Sequence, residues 1–295
     1  MIKQITSFLA LVAIVASCNR DQEIVDTNSF IISEGDAPMI IAHGGAKALF
    51  PENTMMAFDG SVDIGIDALE MDVCLTKDEI LVTHHDKTID RMSDGEGAVN
   101  DYTYDELLQF NFGDGFENLN GEFPYKNTKV EIAKLEDVIV NYASYPLIIE
   151  IKDEGDLGEK AADILTKMID DYGVKSTAII ASFHDEIIDY IIEKDNGYLV
   201  STAETEARRM VITTKSGMTL FYKPDAMALQ LPMESAGLNL TRKRIIKQAH
   251  KRNMAIHYWT INNKEDMKLL IENGADGLIT DRPDLMNELI TEMGY

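Results

Sequence analysis

The 295-residue chain has few basic residues, few cysteines and almost no long apolar runs. Lysine and arginine total 27 against 51 aspartates and glutamates, so the formal net charge is −24. Phosphate backbones and anionic membrane surfaces are bound by clustered basic side chains, so this composition argues against both kinds of partner. The first predicted strand is followed by no glycine-rich dinucleotide motif and no P-loop motif, which argues against a nucleotide-binding open sheet.

The one extended apolar stretch, residues 8–16, is too short to span a bilayer as a mature helix. It follows the basic residue Lys3, and small residues then precede Cys18, as in the signal of a bacterial lipoprotein. We therefore predict a signal peptide at residues 1–17, a lipid on Cys18 and a polar, acidic tether at residues 18–36. An ordinary signal peptide with an incidental cysteine is the alternative.

This N-terminus has two further consequences. A lipid on Cys18 leaves only Cys74, so an intramolecular disulfide is impossible and we expect Cys74 to fill a core position. The same anchor would hold the protein to a membrane of the bacterial cell envelope, outside the cytoplasm, on the periplasmic or outer-membrane face.

From residue 39 onward, short apolar strands alternate with amphipathic helices. Strands are predicted at residues 39–43, 67–73, 80–84, 147–152, 178–182, 198–201, 226–229, 254–259 and 276–280. Helices are predicted at residues 54–64, 135–142, 158–171, 185–193, 202–215, 241–251, 264–272 and 283–292. Repeated strand–helix–strand units indicate parallel strands with helices outside, and the length favours a (β/α)8 TIM-type barrel over residues 37–295.

One segment interrupts this alternation. Residues 112–131 are rich in glycine, asparagine and acidic side chains, and we interpret them as a loop insertion after the second barrel unit. A loop of this length in a compact fold is usually functional or disordered. At the carboxyl end of the barrel it would cover the mouth of a site.

Acidic side chains occupy two strands that are otherwise apolar. Glu70 and Asp72 lie in the second predicted strand, and Glu150 lies with Lys152 in the fourth. Residues two apart on a strand point the same way, and a buried carboxylate is costly unless a cation neutralises it. We therefore expect the three carboxylates to bind one metal ion, with Lys152 beside it, although a simple Glu150–Lys152 salt bridge is the alternative.

The remaining polar residues at strand ends suggest the chemistry. Three carboxylates without sulfur ligands suit a hard divalent cation, Mg²⁺ or Ca²⁺. His43 and either His84 or His85 follow strands of the same barrel, and imidazole titrates near neutral pH, which suits proton transfer. A metal, a lysine and two histidines together favour cleavage of a phosphoester.

Several motifs resemble those of the glycerophosphodiester phosphodiesterase family and occur in its order over residues 39 to about 290. They are Ile41-Ala42-His43-Gly44-Gly45, Pro51-Glu52-Asn53-Thr54, residues 70–78, His85-Asp86, Asp90-Arg91, residues 149–152, Trp259-Thr260-Ile261-Asn262, and residues 274–277 running to Thr280-Asp281-Arg282-Pro283. The resemblance implies a (β/α)8 barrel, one divalent cation, and hydrolysis of glycerophosphodiesters, such as deacylated phospholipids, to glycerol 3-phosphate and an alcohol.

Position by position, the resemblance also implies roles for individual residues. His43 and His85 match the catalytic histidines, and Lys152 and Trp259 match residues that contact the substrate. Glu70, Asp72 and Glu150 match the metal ligands. In the mechanism drawn for the family, the glycerol 2-hydroxyl attacks phosphorus, and water then opens a cyclic phosphate. His84 is adjacent to His85 on a strand and faces the other way, so we interpret it as structural or exposed.

The chain departs from the family pattern at Gly44, where an arginine usually follows the first histidine. Lysine cannot reproduce the bidentate grip of a guanidinium on phosphate, so Lys47, Arg282 or a loop residue would have to compensate. Two alternatives follow. A related phosphodiesterase acting on a lipid or polymer diester would expose an apolar rim at residues 112–131. A non-catalytic binding lipoprotein agrees with the missing arginine but not with the retained histidines and carboxylates.

Overall fold

The computed structural model describes residues 28–33, 35–194, 197–217 and 223–295. Its strands are β1 Met39–Ala42, β2 Ala68–Leu75, β3 Leu81–Thr83, β4 Ala133–Lys134, β5 Leu147–Ile151, β6 Ala178–Ala181, β7 Leu199–Val200, β8 Ala228–Leu231, β9 Glu234–Ser235, β10 Leu238–Asn239, β11 Ala255–Tyr258 and β12 Gly277–Thr280. Its α-helices are α1 Met55–Ile64, α2 Tyr104–Leu107, α3 Leu135–Tyr142, α4 Gly155–Asp171, α5 Asp185–Glu193, α6 Glu204–Ser216, α7 Lys243–His250, α8 Lys264–Asn273 and α9 Pro283–Met293.

Eight parallel strands form a nearly closed barrel in the order β7-β6-β5-β2-β1-β12-β11-β8. The two ends of this order meet through backbone hydrogen bonds, in which Met227 N donates to Val200 O at 2.9 Å and Thr202 N to Ala228 O at 2.8 Å. Helices connect the strands on the outside, and the predicted (β/α)8 barrel is confirmed.

Strand β2 shows how the barrel separates its apolar and polar positions. Leu69, Met71 and Val73 pack into the large core beneath the helices, whereas the alternate residues point into the barrel. Ala68 belongs to the apolar interior cluster, and Glu70 and Asp72 follow it toward the carboxyl end of the strand. The lower barrel is therefore filled with apolar side chains, and the upper barrel carries the charged ones.

The amino-terminal end of the barrel is covered by residues 28–33. Phe30 is fully buried there, and Asn28 Nδ2 donates to the carbonyl oxygens of Met227 and Asn253 at 2.8 and 3.0 Å. This part of the predicted tether is therefore packed against the barrel rather than free. The predicted signal peptide and Cys18 lie outside the described residues. Within the described ranges, no helix has the length and apolar character needed to cross a bilayer.

Residues 80–84, predicted as another strand, do not join the barrel. Glu79 has a φ of 64° in a tight turn, so β3 runs back antiparallel to β2, with Cys74 opposite Val82. Cys74 is buried in a small core beside this hairpin, as expected.

The insertion at residues 112–131 packs beside the β2–β3 hairpin. Phe112 N donates to Val130 O at 2.8 Å, which closes the loop at its base, and the Phe112 side chain is buried in the small core. Residues 112–131 contribute nothing to the lining of the cavity described below. Phe116 is also buried, whereas Leu119 and Phe123 of this loop are exposed, at 61 % and 46 %. Neither of these two side chains lines the cavity.

Candidate active site

Three carboxylates converge at the carboxyl ends of β2 and β5. Asp72 and Glu150 are paired residues in the parallel register of the two strands, and Glu70 lies two residues before Asp72 on the same face. One oxygen from each of Glu70, Asp72 and Glu150 lies within 4.8 Å of the other two. Lys152 Nζ donates to Glu150 Oε1 at 2.7 Å and lies 3.1 Å from Asp72 Oδ1. The predicted cluster and its salt bridge are therefore both present.

The carboxylates of this cluster outnumber the positive charges beside them, and the pKa values of its members are shifted. Burial, and after it the charge of Asp72, raise the pKa of Glu70 to about 8. Burial and Asp72 also raise the pKa of Glu150. Burial lowers the pKa of Lys152, but Asp72 and Glu150 outweigh it, so this pKa is raised. One ammonium against three carboxylates leaves room for further positive charge.

His43 is held by a carboxylate that the sequence analysis did not assign. His43 Nδ1 lies 2.6 Å from Asp281 Oδ1, and Asp281 Oδ2 accepts from Asn262 Nδ2 at 2.6 Å. An ionised carboxylate can only accept, so Nδ1 carries the proton and Nε2 presents its lone pair. Burial lowers the pKa of His43, but Glu70 and Asp281 outweigh it and the net shift is upward. This is the geometry of a histidine prepared to accept a proton at Nε2.

His85 repeats this arrangement on the other side of the cluster. His85 Nδ1 lies 2.8 Å from Asp86 Oδ1, and Arg91 Nε donates to Asp86 Oδ2 at 2.6 Å. Arg91 is itself paired with Glu52. Asp86 and Asp281 both lie in motifs quoted above, but neither pattern revealed a carboxylate behind each imidazole.

Backbone geometry fixes the carboxylates. Asn53, at a φ of 56°, donates from Nδ2 to Asp72 Oδ2 at 2.9 Å and accepts the N–H of Asp72 at 3.0 Å. The next residue, Thr54, caps helix α1 by accepting from Ala57 N. Gly44 N donates to Glu70 Oε2 at 2.8 Å. Asn53 therefore orients a carboxylate, and Thr54 is the helix cap.

All seven predicted site residues line one cavity of about 650 Å³. Its charged half contains His43, His85, Glu70, Asp72, Glu150 and Lys152. Its other half is mainly apolar, and three of its side chains remain well exposed: Phe183 at 53 %, Ile212 at 52 % and Leu238 at 40 %. Trp259 stands between the halves, edge-on to Phe183 with ring centroids 5.7 Å apart.

Two further histidines are structural. His84 is buried, with Nε2 3.0 Å from Thr88 O and its ring edge-on to Phe112, so of the two alternatives from the sequence it is structural and not exposed. His257 is fully buried against Phe30 in the lower barrel, and burial lowers its pKa to about 4. It does not line the cavity and belongs to the core.

Fold and site together define a class: a (β/α)8-barrel enzyme with acidic residues and two Asp-supported histidines at the carboxyl ends of its strands. The model of the glycerophosphoryl diester phosphodiesterase family matches residues 43–285. The chain belongs to this family and is a phosphoric diester hydrolase.

Individual relatives agree with this assignment. A glycerophosphodiester phosphodiesterase of Caldanaerobacter subterraneus is 33 % identical over 265 residues, which cover 87 % of this chain and 99 % of that protein. The phosphodiesterase domain of a Mycobacterium tuberculosis protein has a TM-score of 0.75 at 22 % identity, covering 86 % of this chain and 99 % of that one. An Oleispira antarctica phosphodiesterase, solved with the product sn-glycerol-3-phosphate, has a TM-score of 0.68 at 19 % identity, covering 86 % of this chain and 97 % of that one.

Proposed function

We propose that the protein hydrolyses glycerophosphodiesters to glycerol 3-phosphate and an alcohol, with one divalent cation and two histidines. The observation that carries this proposal is the convergence, in one cavity, of three clustered carboxylates and two histidines that each have an aspartate at Nδ1. Family membership supports the reaction, and the geometry supports the division of roles.

The donor set fits Mg²⁺ or Ca²⁺. Glu70, Asp72 and Glu150 offer only oxygen ligands, and their oxygens lie close enough together for one ion. Burial and the charge of Asp72 raise the pKa of Glu70, and a cation bound between the carboxylates would oppose both effects. When bound there, a divalent cation would polarise the phosphoryl group and stabilise the charge that develops on its oxygens.

The protein side chains would transfer the protons. Either His43 or His85 takes the proton of the attacking hydroxyl at Nε2, and the other gives a proton to the oxygen of the departing alcohol. Asp281 and Asp86 keep the Nδ1 protons in place and stabilise each imidazolium as it forms. Lys152, which already contacts Glu150 and Asp72, would pair with a phosphate oxygen at the edge of the cluster.

The test is release of glycerol 3-phosphate from glycerophosphocholine and related diesters, measured with Mg²⁺, with Ca²⁺ and with EDTA. We expect release that needs a divalent cation and that falls by about 100- to 10,000-fold in His85→Ala. The Lys264→Met variant on helix α8 serves as a folded control with full activity. Turnover that survives EDTA, or that His85→Ala retains, would contradict the proposed roles.

The apolar half of the cavity favours a second candidate substrate, a phosphodiester that carries a hydrocarbon chain. This half is lined by Ala207, Val211 and Ile212 of helix α6, by Pro232 after β8 and by Leu238 of β10. Residues 112–131, where we considered an apolar rim, contribute no side chain to this lining.

A series of glycerophosphoalkanols with two to twelve carbons separates the candidates. If the apolar half binds the chain, kcat/KM should rise about three- to fourfold per methylene, since each buried methylene contributes about 0.8 kcal/mol. Ile212→Asn should flatten the series without changing turnover of glycerophosphocholine. A flat series in the wild type would leave small, polar diesters as the substrates.

We also propose that Cys18 carries a lipid that holds the protein in the bacterial cell envelope, outside the cytoplasm. The support is the sequence of residues 1–18, with its basic start, apolar stretch and small residues before the cysteine. Mass spectrometry of the mature N-terminus and fractionation of Cys18→Ser would test it. We expect a diacylglyceryl-modified Cys18 and release of the variant from membranes, whereas an unmodified cysteine would contradict it.

A further inference from the structure

The turn that follows β1 brings a lysine into the charged half of the cavity. Gly44, Gly45 and Ala46 all have left-handed φ angles, of 52°, 75° and 65°. A Cβ atom on Gly45 would lie 2.7 Å from that of Ala57, so only glycine fits there. The turn is closed by Lys47 N, which donates to His43 O at 3.2 Å. Lys47 therefore returns to the histidine from which the turn began.

Most other cations near the cavity are bound to carboxylates. Lys152 contacts Glu150 and Asp72, and Arg208 is paired with Glu204. Arg282, which we considered as a replacement for the missing arginine, donates from Nε and Nη2 to Asp284 at 2.8 and 2.7 Å. It does not line the cavity. The structure therefore excludes Arg282 as the compensating residue.

Lys47 is placed differently. It lines the cavity, its side chain is 27 % exposed, and the nearest carboxylate oxygen in its ion pairs, Asp281 Oδ1, is 3.9 Å from Nζ. Its closest polar contact is His43 Nε2 at 3.5 Å. An ammonium has three donors, so Lys47 retains hydrogen-bonding capacity directed at the place where a substrate would meet His43.

We propose that Lys47 binds a non-bridging phosphate oxygen of the substrate and replaces the arginine that is absent at Gly44. This inference rests on the proposed function of the cavity. The Lys47 ammonium lies 3.5 Å from His43 Nε2. A phosphate oxygen, being charged, is the stronger acceptor, so the ammonium would turn to it and leave Nε2 open for proton transfer.

Position 44 offers a rescue experiment. A Cβ atom built on Gly44 comes no closer than 3.5 Å to Asn53 and Glu52, so a side chain has room there despite the left-handed φ. The donor that Gly44 supplies to Glu70 is a backbone N–H, which every residue except proline retains. An arginine at position 44 can therefore supply a guanidinium when Lys47 is removed.

The experiment compares wild type, Lys47→Met, Lys47→Arg, the double variant Gly44→Arg/Lys47→Met, and Lys264→Met as control. Lys264 is a similarly exposed lysine that pairs with Glu288 and Glu292, away from the cavity. Two quantities are measured in the presence of Mg²⁺: kcat/KM for glycerophosphocholine, and the Kd of glycerol 3-phosphate by calorimetry. Melting temperatures identify any variant that fails to fold.

We expect Lys47→Met to weaken glycerol 3-phosphate binding and to lower kcat/KM by about 10- to 100-fold, the usual effect of losing a charged hydrogen bond. Lys47→Arg and the double variant should recover at least tenfold of the binding, and Lys264→Met should match wild type. Unchanged binding in a folded Lys47→Met protein would overturn the inference, as would a double variant without recovery. If the wild type binds glycerol 3-phosphate but turns over no diester, the proposed function fails while the binding series still tests Lys47.

Discussion

The two ends of the barrel both contain buried carboxylates, but they satisfy them in different ways. At the amino-terminal end, Asp276 is fully buried and accepts the N–H groups of Ile32 and Ile256 at 3.2 and 2.7 Å. His250 Nε2 adds a third partner at 2.8 Å. At the carboxyl end, Glu70 accepts one N–H, from Gly44, and faces two other carboxylates.

This difference separates structure from function. Burial of an acidic residue is costly at either end, but at the base the protein supplies the donors itself. At the mouth the compensation is incomplete, and a cation from solution can supply the rest. A buried carboxylate therefore indicates a site when its surroundings leave it undercompensated.

The largest effects should come from exchanging a carboxylate for its amide at each end. Glu70→Gln should lower kcat/KM at least a thousandfold while leaving the free energy of unfolding unchanged or higher, because it removes a repelled charge. Asp276→Asn should leave kcat/KM within threefold but destabilise the fold by about 2 kcal/mol, since one buried donor loses its acceptor. Urea unfolding measures the stability of each variant, and steady-state kinetics measures its kcat/KM. An active but unstable Glu70→Gln, or an inactive but stable Asp276→Asn, would refute the comparison.

The aspartate behind His43 should have the next largest effect. In Asp281→Asn the side-chain NH2 can face His43 Nδ1, which favours the tautomer with the proton on Nε2 instead of Nδ1. We therefore expect kcat to fall about a hundredfold, with KM nearly unchanged. The pH profile of kcat distinguishes this from general damage, because losing the Asp281 charge should move the limb due to His43 to lower pH. An unchanged profile with reduced kcat would mean that Asp281 only supports the fold.

The sequence predicted the barrel because strand and helix periods repeat, and it predicted Glu70, Asp72 and Glu150 because each interrupts an apolar run. It could not reveal Asp281 behind His43, because that contact joins residues 238 positions apart through the pairing of β1 with β12. It also left the position of residues 112–131 open. Their polar composition resembles that of a lid, and only the packing of Phe112 shows that the loop lies elsewhere.

Groups at the two ends of the barrel should change the stability of the metal-free protein with pH in opposite directions. The folded-state pKa of Glu70 is about 8 against an ordinary 4.5, so the folded state binds the extra proton more tightly. Stability should therefore fall as pH rises from 4.5 to 8, by about 1–4 kcal/mol. Urea unfolding with chelator at pH 5.5 and 8.0 would show this fall, and saturating Mg²⁺ should abolish it. A metal-free protein equally stable at both pH values would contradict the prediction.

At the amino-terminal end, His257 should make the stability rise with pH instead of fall. The pKa of His257 is about 4 in the folded state against 6.5, so the unfolded state takes up the proton first. Stability should be lost as pH falls from 6.5 toward 4, by up to about 3 kcal/mol. In the presence of Mg²⁺, His257→Leu should reduce this acid sensitivity. An equal loss of stability on acidification in wild type and His257→Leu would show that other groups cause the acid sensitivity.

The smallest effect is expected at the β2–β3 turn. Glu79 adopts a left-handed φ that glycine tolerates better, but its carboxylate also accepts from Lys160 Nζ at 2.8 Å on the surface. Glu79→Gly removes both the strain and an exposed ion pair, and adds chain entropy to the unfolded state. The melting temperature should change by no more than about 3 °C in either direction. A larger decrease would mean that this turn holds the hairpin more firmly than its exposure indicates.

If Cys18 carries the proposed lipid, the packing of Phe30 beneath the barrel would also limit how the protein is oriented at the membrane. Nine residues separate Cys18 from Asn28, and an extended chain reaches at most about 3.6 Å per residue, so the base can stand no more than about 35 Å from an anchoring lipid. A lipidated protein would then hold its base toward the bilayer and its catalytic mouth toward the aqueous compartment. It would collect diesters that diffuse past the membrane, and lipids of its own leaflet would have to leave the bilayer to reach it.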